Sequence, residues 1–457
     1  METMHAILPR VTSTTELLLD LAESNRRGHA VGLPSICSAD RFVLEAAVYQ
    51  AQRDDTVVLI ESTCNQVNQF GGYTGMRPVD FRALVTEVAI RQDYPPAGVI
   101  LGGDHLGPFP WRAEPAAKAM AKARDLVRAY VLAGYSKIHL DCSMRLADDP
   151  GAAGDPLSDE TATARTVELA TVAEAAWREL PAGQPAPLYV IGTEVPVPGG
   201  EQAAQAGPAV TTVAHARRTC ELCEQAFAAA GLQSAWERVF ALVVQPGVEF
   251  GDSVVFDYLR SPQALELSGA VEHLPRLVYE AHSTDYQTAA ALRSLVEDHF
   301  AVLKVGPGLT FALREGLFAL AAIEDELCGA SPEGGARLAR SNLREIVDRV
   351  MREQPEHWQA YYSGDDAALR LARDFSYSDR IRYYWPQTDV RDAVERLIAN
   401  LSGQAVPLTL LSQYLPDEAR AVRDGSLAAQ PSPHELIRHK ILTVLDGYAA
   451  ACGMRQA

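Results

Sequence analysis

The sequence predicts a (β/α)8 barrel with a helical carboxyl-terminal extension, and three observations lead there. Between residues 30 and 307, eight short apolar or β-branched runs alternate with longer Ala/Leu/Glu/Arg-rich stretches, the alternation that builds βαβ units and a parallel sheet. No Gly-rich dinucleotide fingerprint follows the first run, which disfavours an open doubly wound sheet. Carboxylates, imidazoles and amides recur at the ends of nearly all the runs rather than at one switch point, as expected where all strand ends share one mouth.

Residues 1–29 read as a helical lead-in. The eight runs are 30–37 (AVGLPSIC), 56–63 (TVVLIEST), 98–105 (GVILGGDH), 137–143 (KIHLDCS), 188–195 (LYVIGTEV), 239–247 (VFALVVQPG), 276–284 (RLVYEAHST) and 301–307 (AVLKVGP). The stretches 114–133, 161–180, 214–230 and 285–300 are long enough for crossover helices, and 309–327 reads as the last barrel helix. A Gly/Ser/Pro-rich link, 328–335 (CGASPEGG), ends a barrel assigned to 30–327. Beyond it, 336–457 is mainly helical in pattern, with aromatic clusters at 357–362 (HWQAYY) and 376–386 (SYSDRIRYYWP). The segments 149–155 and 198–207 read as rim loops.

Composition narrows the function. A chain of 457 residues, 47% hydrophobic and 22% charged, is an ordinary globular protein with a large core. A net charge of −18 argues against nucleic acid as a partner, because phosphate backbones need a Lys/Arg surface. Met1 to Arg10 has no apolar signal-peptide core and no run approaches a membrane span, so a cytoplasmic protein acting on a small molecule is expected. Among seven cysteines, Cys220 and Cys223 sit in a helical pattern with no second Cys/His pair at zinc spacing and read as reduced thiols.

If the barrel is right, the chemistry lies at the strand ends. The second strand ends in Glu61, followed by Asn65, Gln66, Asn68 and Gln69, an amide-rich loop suited to sugar hydroxyls. The third gives Asp104 and His105, the fourth His139 and Asp141, the fifth Glu194, the sixth Gln245 and Glu249, the seventh Glu280, His282 and Asp285, and the eighth Lys304 with Gly306 and Gly308. Any one of these alone reads as a capped turn or a core histidine, and Lys304 as the partner of a barrel carboxylate. Five consecutive strands ending in His, Asp or Glu are hard to explain by packing, since burying so many charges without a ligand is costly.

Histidines and a carboxylate from separate strands make a divalent site with open positions, suited to zinc or manganese and able to polarise a carbonyl. His105, Glu194 and His282 are the expected ligands, with Asp104 beside them as general base. His139 is a weaker choice, because the alternation in KIHLD leaves its orientation open. Asn65, Gln66, Gln245, Asp285 and Lys304 are expected to bind substrate. The Ser283–Thr284 hydroxyls and the Gly306–Pro307–Gly308 backbone fall where barrels hold phosphate. The Arg380/Arg382 pair in the tail could reach a phosphate over the mouth, though helix-surface ion pairing is its plainer role.

The stretches 65–75 (NQVNQFGGYTG), 101–108 (LGGDHLGP), 191–200 (IGTEVPVPGG), 243–250 (VVQPGVEF), 279–287 (YEAHSTDYQ), 378–386 (SDRIRYYWP) and 412–416 (SQYLP) closely resemble the tagatose-1,6-bisphosphate aldolase Z-subunit family. The resemblance covers nearly the whole chain, helical tail included. It implies one of two things: a non-catalytic subunit supporting a separate class II aldolase chain, or a ketose 4-epimerase interconverting fructose 6-phosphate and tagatose 6-phosphate, or the free sugars. A true tagatose 1,6-bisphosphate aldolase is the third possibility, and self-association is compatible with all. The Asp104–His105 pair also resembles the strand-three pair of class II aldolases, where Asp is the acid/base and His a zinc ligand.

An aldolase-like site suits a 4-epimerase for a chemical reason. C4 of a 2-ketohexose lies β to the carbonyl, so its hydrogen is not acidic and enolisation cannot invert it. Retro-aldol cleavage of C3–C4, rotation of the aldehyde fragment and re-addition can, provided the enediolate is stabilised and the C4 hydroxyl proton is carried. Two acid/base groups are needed, one for each orientation of the C4 oxygen. Asp104 is expected to be one, with Glu61 or Glu280 as the other.

Overall fold

The eight predicted runs become eight parallel strands. They are β1 (Leu33–Cys37), β2 (Val58–Thr63), β3 (Val99–Leu106), β4 (Lys137–Leu140), β5 (Leu188–Ile191), β6 (Val239–Val243), β7 (Val278–Ala281) and β8 (Phe300–Val305). In the computed structural model, which describes residues 14–151, 156–193, 195, 207–274, 276–329 and 339–455, the sheet closes where Leu33 pairs with Val302 and Ile36 with Val305. Both faces of such a sheet are covered, so the strands are apolar nearly throughout, and the polar exceptions gather at one end.

A helix follows every strand: α2 (Arg41–Arg53), α3 (Pro78–Arg91), α4 (Ala116–Leu132), α5 (Asp159–Arg178), α6 (Val213–Ala229), α7 (Pro262–Ala270), α8 (Ala289–Glu297) and α9 (Pro307–Gly329). Their starts are set by short polar side chains that accept a hydrogen bond from a first-turn N–H, as Asp40, Ser158, Thr212, Ser261 and Thr288 do. A two-residue hairpin, Glu249–Phe250 against Val255–Phe256, intervenes before α7. The helix expected over 285–300 begins only at Ala289, because Ser283 and Tyr286 adopt φ of +54° and +65°, a left-handed backbone that no helix continues.

The flanking segments both pack on the barrel. In α1 (Thr14–Arg26), the Arg26 guanidinium donates to the carbonyls of Val271, Leu274 and Leu277, and Asn25 donates to those of Val31 and Val296. This ties the lead-in to the loops that precede the strands. After residue 339 come α10 (Leu343–Glu353), α11 (Asp366–Phe375), α12 (Thr388–Ser402), α13 (Leu408–Tyr414), α14 (Pro416–Asp424) and α15 (Pro433–Ala451). Helix α15 returns to pack on α2, α8 and α9, and Tyr448 donates to the Thr284 carbonyl at 2.6 Å. The turn Arg380–Tyr383 is brought to the barrel mouth, where the Tyr383 ring meets Tyr73 from the loop after β2 at 4.6 Å. Among the described residues no helix is long and apolar enough to cross a membrane.

Candidate active site

The stretch LGGDHLGP forms the centre of the site because of its small residues and a break in the strand. A Cβ on Gly102 would stand 2.6 Å from Glu61 Cγ, and one on Gly107 would stand 1.7 Å from the Asp141 carbonyl oxygen, so glycine lets β2 and β4 approach β3. Consecutive strand residues normally face opposite ways. Here the β3–β4 register shifts between Gly103 and Leu106 and His105 takes φ +49°, and both Asp104 and His105 line the same pocket.

Beneath that pocket lies a charged layer shielded from solvent. Lys137 Nζ is 2.8 Å from Glu61 Oε1 and 2.8 Å from Glu280 Oε2, and all three side chains are 0% exposed. Lys304 Nζ pairs with Glu61, stands 2.9 Å from Asp104 Oδ1 and is 3.4 Å from Glu280 Oε1. Burial alone would push the Asp104 and Glu280 carboxyls up. For Asp104, His105, Lys304 and the His139 hydrogen bond overcome it, and for Glu280 the two lysines and His282 do, holding both well below the ordinary range. Burial likewise works against the Lys304 ammonium, but Asp104, Glu280 and Glu61 raise it well above its usual value, so it remains a cation.

Three imidazoles cover this layer. The His105, His139 and His282 rings form a triangle with centroids 4.9–5.2 Å apart. His139 Nδ1 is 2.8 Å from Asp104 Oδ1, and His282 Nε2 is 3.1 Å from Glu280 Oε1. His105 Nδ1 is 2.7 Å from Asp141 Oδ2; burial raises Asp141, but its bond to His105 outweighs this and brings it down to about 2. Burial lowers His105, yet Asp104 and Asp141 leave it raised, whereas burial drives His282 down to about 3. At neutral pH His282 therefore offers a lone pair.

One atom each from Asp104, His139, Glu280 and His282 lies within 4.8 Å of the others, and His139 Nε2 is buried without a hydrogen-bond partner. Two imidazoles, two carboxylates and an orphaned ring nitrogen fit a divalent cation. A second group, Cys37, Glu61 and Asp104, already has the Lys304 ammonium against both of its carboxylates.

The sequence-nominated residues divide accordingly. Asn65, Gln66, Asp104, His105, His282, Ser283, Asp285, Lys304 and Gly306 all line the pocket. Glu61 and Glu280 lie below it, locked to lysines, so neither reaches the pocket as a free proton carrier. Glu194 lies outside the described residues. Gln245 is not in the lining: its Oε1 accepts from the Gly247 and Val248 amides and shapes its own turn. Arg380 turns away too, stacked on Tyr361 at 3.0 Å and donating to the His357 carbonyl; Arg382, two residues on, lines the pocket instead. Sequence reasoning assigned no role to Lys137, and it held His139, which lies with Asp104, Glu280 and His282, as a weaker choice of ligand.

The sequence model of the family described as D-tagatose-1,6-bisphosphate aldolase subunit GatZ/KbaZ-like matches residues 18–453. The chain belongs to this family. A solved family-like structure from Sinorhizobium meliloti, described as a probable tagatose 6 phosphate kinase, is 47% identical, covers 92% of this chain and 100% of its own, and superposes with a TM-score of 0.81. Far more distant are a fructuronate-tagaturonate epimerase from Cohnella laeviribosi (12% identity, 96% of this chain, 86% of that one, TM-score 0.46) and a fructose-bisphosphate aldolase from Campylobacter jejuni (12%, 89%, 94%, 0.41). The family description relates the chain to D-tagatose-1,6-bisphosphate aldolase.

Proposed function

We propose that the protein is a metal-dependent 4-epimerase of the fructose/tagatose pair of ketohexoses, working by retro-aldol cleavage and re-addition. The observation that carries this reading is the position of Asp104: Oδ1 faces His139 and Lys304, while Oδ2 lies 3.6 Å from Cys37 Sγ and 3.7 Å from His105 Nε2. His139, Glu280 and His282 would hold the divalent cation, with Asp104 against it. When bound there, the cation supplies Lewis-acid stabilisation for the charge that develops on C2–C3.

The chain's own residues supply the rest. Asp104, kept ionised by Lys304, His105 and His139, takes the C4 hydroxyl proton and returns it. His105, whose Nδ1 is held by Asp141, presents Nε2 beside Asp104 Oδ2, so a C4 oxygen in either orientation meets a proton carrier. This reassigns the second carrier from Glu61 or Glu280 to His105, and moves Glu280 and His139 to the cation. Asn65, Gln66 and Ser283 offer polar contacts to sugar hydroxyls from the rim, and the Tyr73–Tyr383 contact closes it.

The family description favours a second reading, in which the chain supports a catalytic class II aldolase subunit acting on a sugar phosphate. Purified protein with manganese, zinc or chelator, given fructose or fructose 6-phosphate, separates the two. Epimerisation predicts the matching tagatose compound, metal-dependent and without free triose. No turnover under any of these conditions leaves the supporting subunit.

A further inference from the structure

The amides at the start of α9 occupy the place where barrels commonly grip a phosphate, after the eighth strand and at a helix amino terminus. In this chain Asp285 holds them: its Oδ1 accepts from the Gly306 N–H at 2.9 Å and from the Gly308 N–H at 2.7 Å. A substrate phosphate therefore needs another partner. The space against Asp104, His105 and His282 is small, about 80 Å³, whereas sites for small molecules commonly reach roughly 300–1,000 Å³. Beside it opens a chamber of about 590 Å³ between the barrel rim and the carboxyl-terminal helices, with Leu84, Leu313, Leu317, Trp385, Val394 and Ile398 in its walls. Cys37, Gln66, Tyr73, Gly306 and Arg382 line both spaces. A substrate chain longer than its reacting carbons finds room past this shared rim.

Among the described residues, the permanent cations lining the two spaces are Lys304, Arg382, Arg41 and Arg391. Lys304 is ringed by Glu61, Asp104 and Glu280. Arg41 is paired with Glu45 at 2.9 Å and with Glu87 at 3.0 Å. Arg391 is exposed and lines the chamber alone. Arg382 differs from all three, because it stands on the shared rim and its bonds go to uncharged acceptors: the carbonyls of Ser378 and Asp379 and the Tyr383 hydroxyl. Those bonds fix the side chain yet leave two of its five N–H groups, that on Nε included, without an acceptor among the described residues. Burial pushes the Asp379 carboxyl up to about 7 against the pull of Arg382, so at neutral pH this neighbour offsets the guanidinium charge only in part. A planar guanidinium held in place with donors to spare suits a phosphoryl group.

We infer that Arg382 is the phosphoryl-binding residue of this site, so that the carboxyl-terminal region, and not the strand-eight nest, holds the phosphorylated end of the ketose at the rim between pocket and chamber. This rests on the epimerase reading for the reacting end of the substrate, but the subsite can be tested apart from turnover. Inorganic phosphate alone, read as a thermal shift at constant ionic strength against chloride, should give wild-type protein a saturable shift at millimolar concentration. Its absence overturns the inference even if no sugar turns over. Arg382→Gln should lose the shift, and Arg382→Lys, which keeps the charge without the planar fork, should keep a weaker one; a full shift in Arg382→Gln, or none in Arg382→Lys, overturns it. Arg380→Gln loosens the same turn at a side chain that does not line the pocket and should keep the shift; a loss equal to that of Arg382→Gln would show that packing of the turn, and not the Arg382 guanidinium, governs binding. The turnover arm compares kcat/KM for C4 epimerisation of fructose 6-phosphate and fructose. The phosphate should lead by about tenfold or more, the worth of a charged hydrogen bond, and Arg382→Gln should cut that ratio by about tenfold or more. A smaller lead, or a ratio unmoved by the substitution, overturns the assignment while leaving the epimerase reading intact.

Discussion

Replacing Lys137 by methionine removes one charge from the floor of the barrel with little change in volume. Two carboxylate contacts are lost, each 2.8 Å long and shielded from solvent. Glu61 retains Lys304, and Glu280 retains Lys304 at 3.4 Å and His282 at 3.1 Å, so the loss belongs at the lower end of the roughly 3–5 kcal/mol that removing one partner of a buried pair costs. For a chain of 457 residues, an unfolding entropy of about 2.1 cal/mol/K per residue makes each kcal/mol worth roughly 1 °C. Lys137→Met should therefore melt about 3 °C lower without metal. Saturating manganese or zinc should narrow that gap, because a cation at Glu280 restores part of the missing charge. Thermal unfolding by circular dichroism, with and without metal, reads both effects. A variant within 1 °C of wild type in chelator would refute the claim that Lys137 neutralises this layer.

Other variants separate holding the cation from carrying the proton. His139→Ala and His282→Ala should each lose bound metal by elemental analysis after dialysis, whereas Asp104→Asn should retain it and lose about 10²–10⁴ in kcat; metal retained in both histidine variants would show the ligand set to be wrong. Burial pushes Asp285 up to about 6 from an ordinary 3.8. Folding thus takes up a proton between those values, and stability falls as pH rises through that window, by roughly 3 kcal/mol once it is crossed. Asp285→Asn has no such slope, so its urea midpoint relative to wild type should rise from pH 4 to pH 7; a constant difference would contradict this. Asp141→Asn removes the anion that holds His105 Nδ1 and should depress kcat while leaving metal content unchanged; unaltered kcat would exclude His105 as a proton carrier.

All eight strands were legible because short apolar runs ending in Gly, Pro or titratable residues leave few other structures open. Asp104, His282 and Lys304 were legible for the same reason, as polar residues at strand ends. What escaped notice obeys other physics. In a strand buried on both faces, as β4 is, alternation carries no information about orientation, so His139 could not be placed and Lys137, its neighbour two residues away on the same face, went unremarked. A lysine inside an apolar strand does call for buried carboxylates, and Glu61 and Glu280 were there to be matched with it. Arg380 and Arg382 could not be told apart by spacing, since Asp379 takes φ +47° ahead of their turn. The phosphate expectation at Gly306–Gly308 failed to foresee that Asp285, released from the helix by the left-handed Ser283 and Tyr286, would itself occupy those amides.

The central claim is that C4 is inverted by breaking C3–C4 and not by removing its hydrogen. Fructose carrying deuterium at C4, incubated with the metal-loaded protein in ordinary water, tests this directly. Retro-aldol epimerisation predicts tagatose that keeps the deuterium at C4 and forms without a primary isotope effect. Loss of the label to solvent, or a primary isotope effect on its conversion, would contradict it.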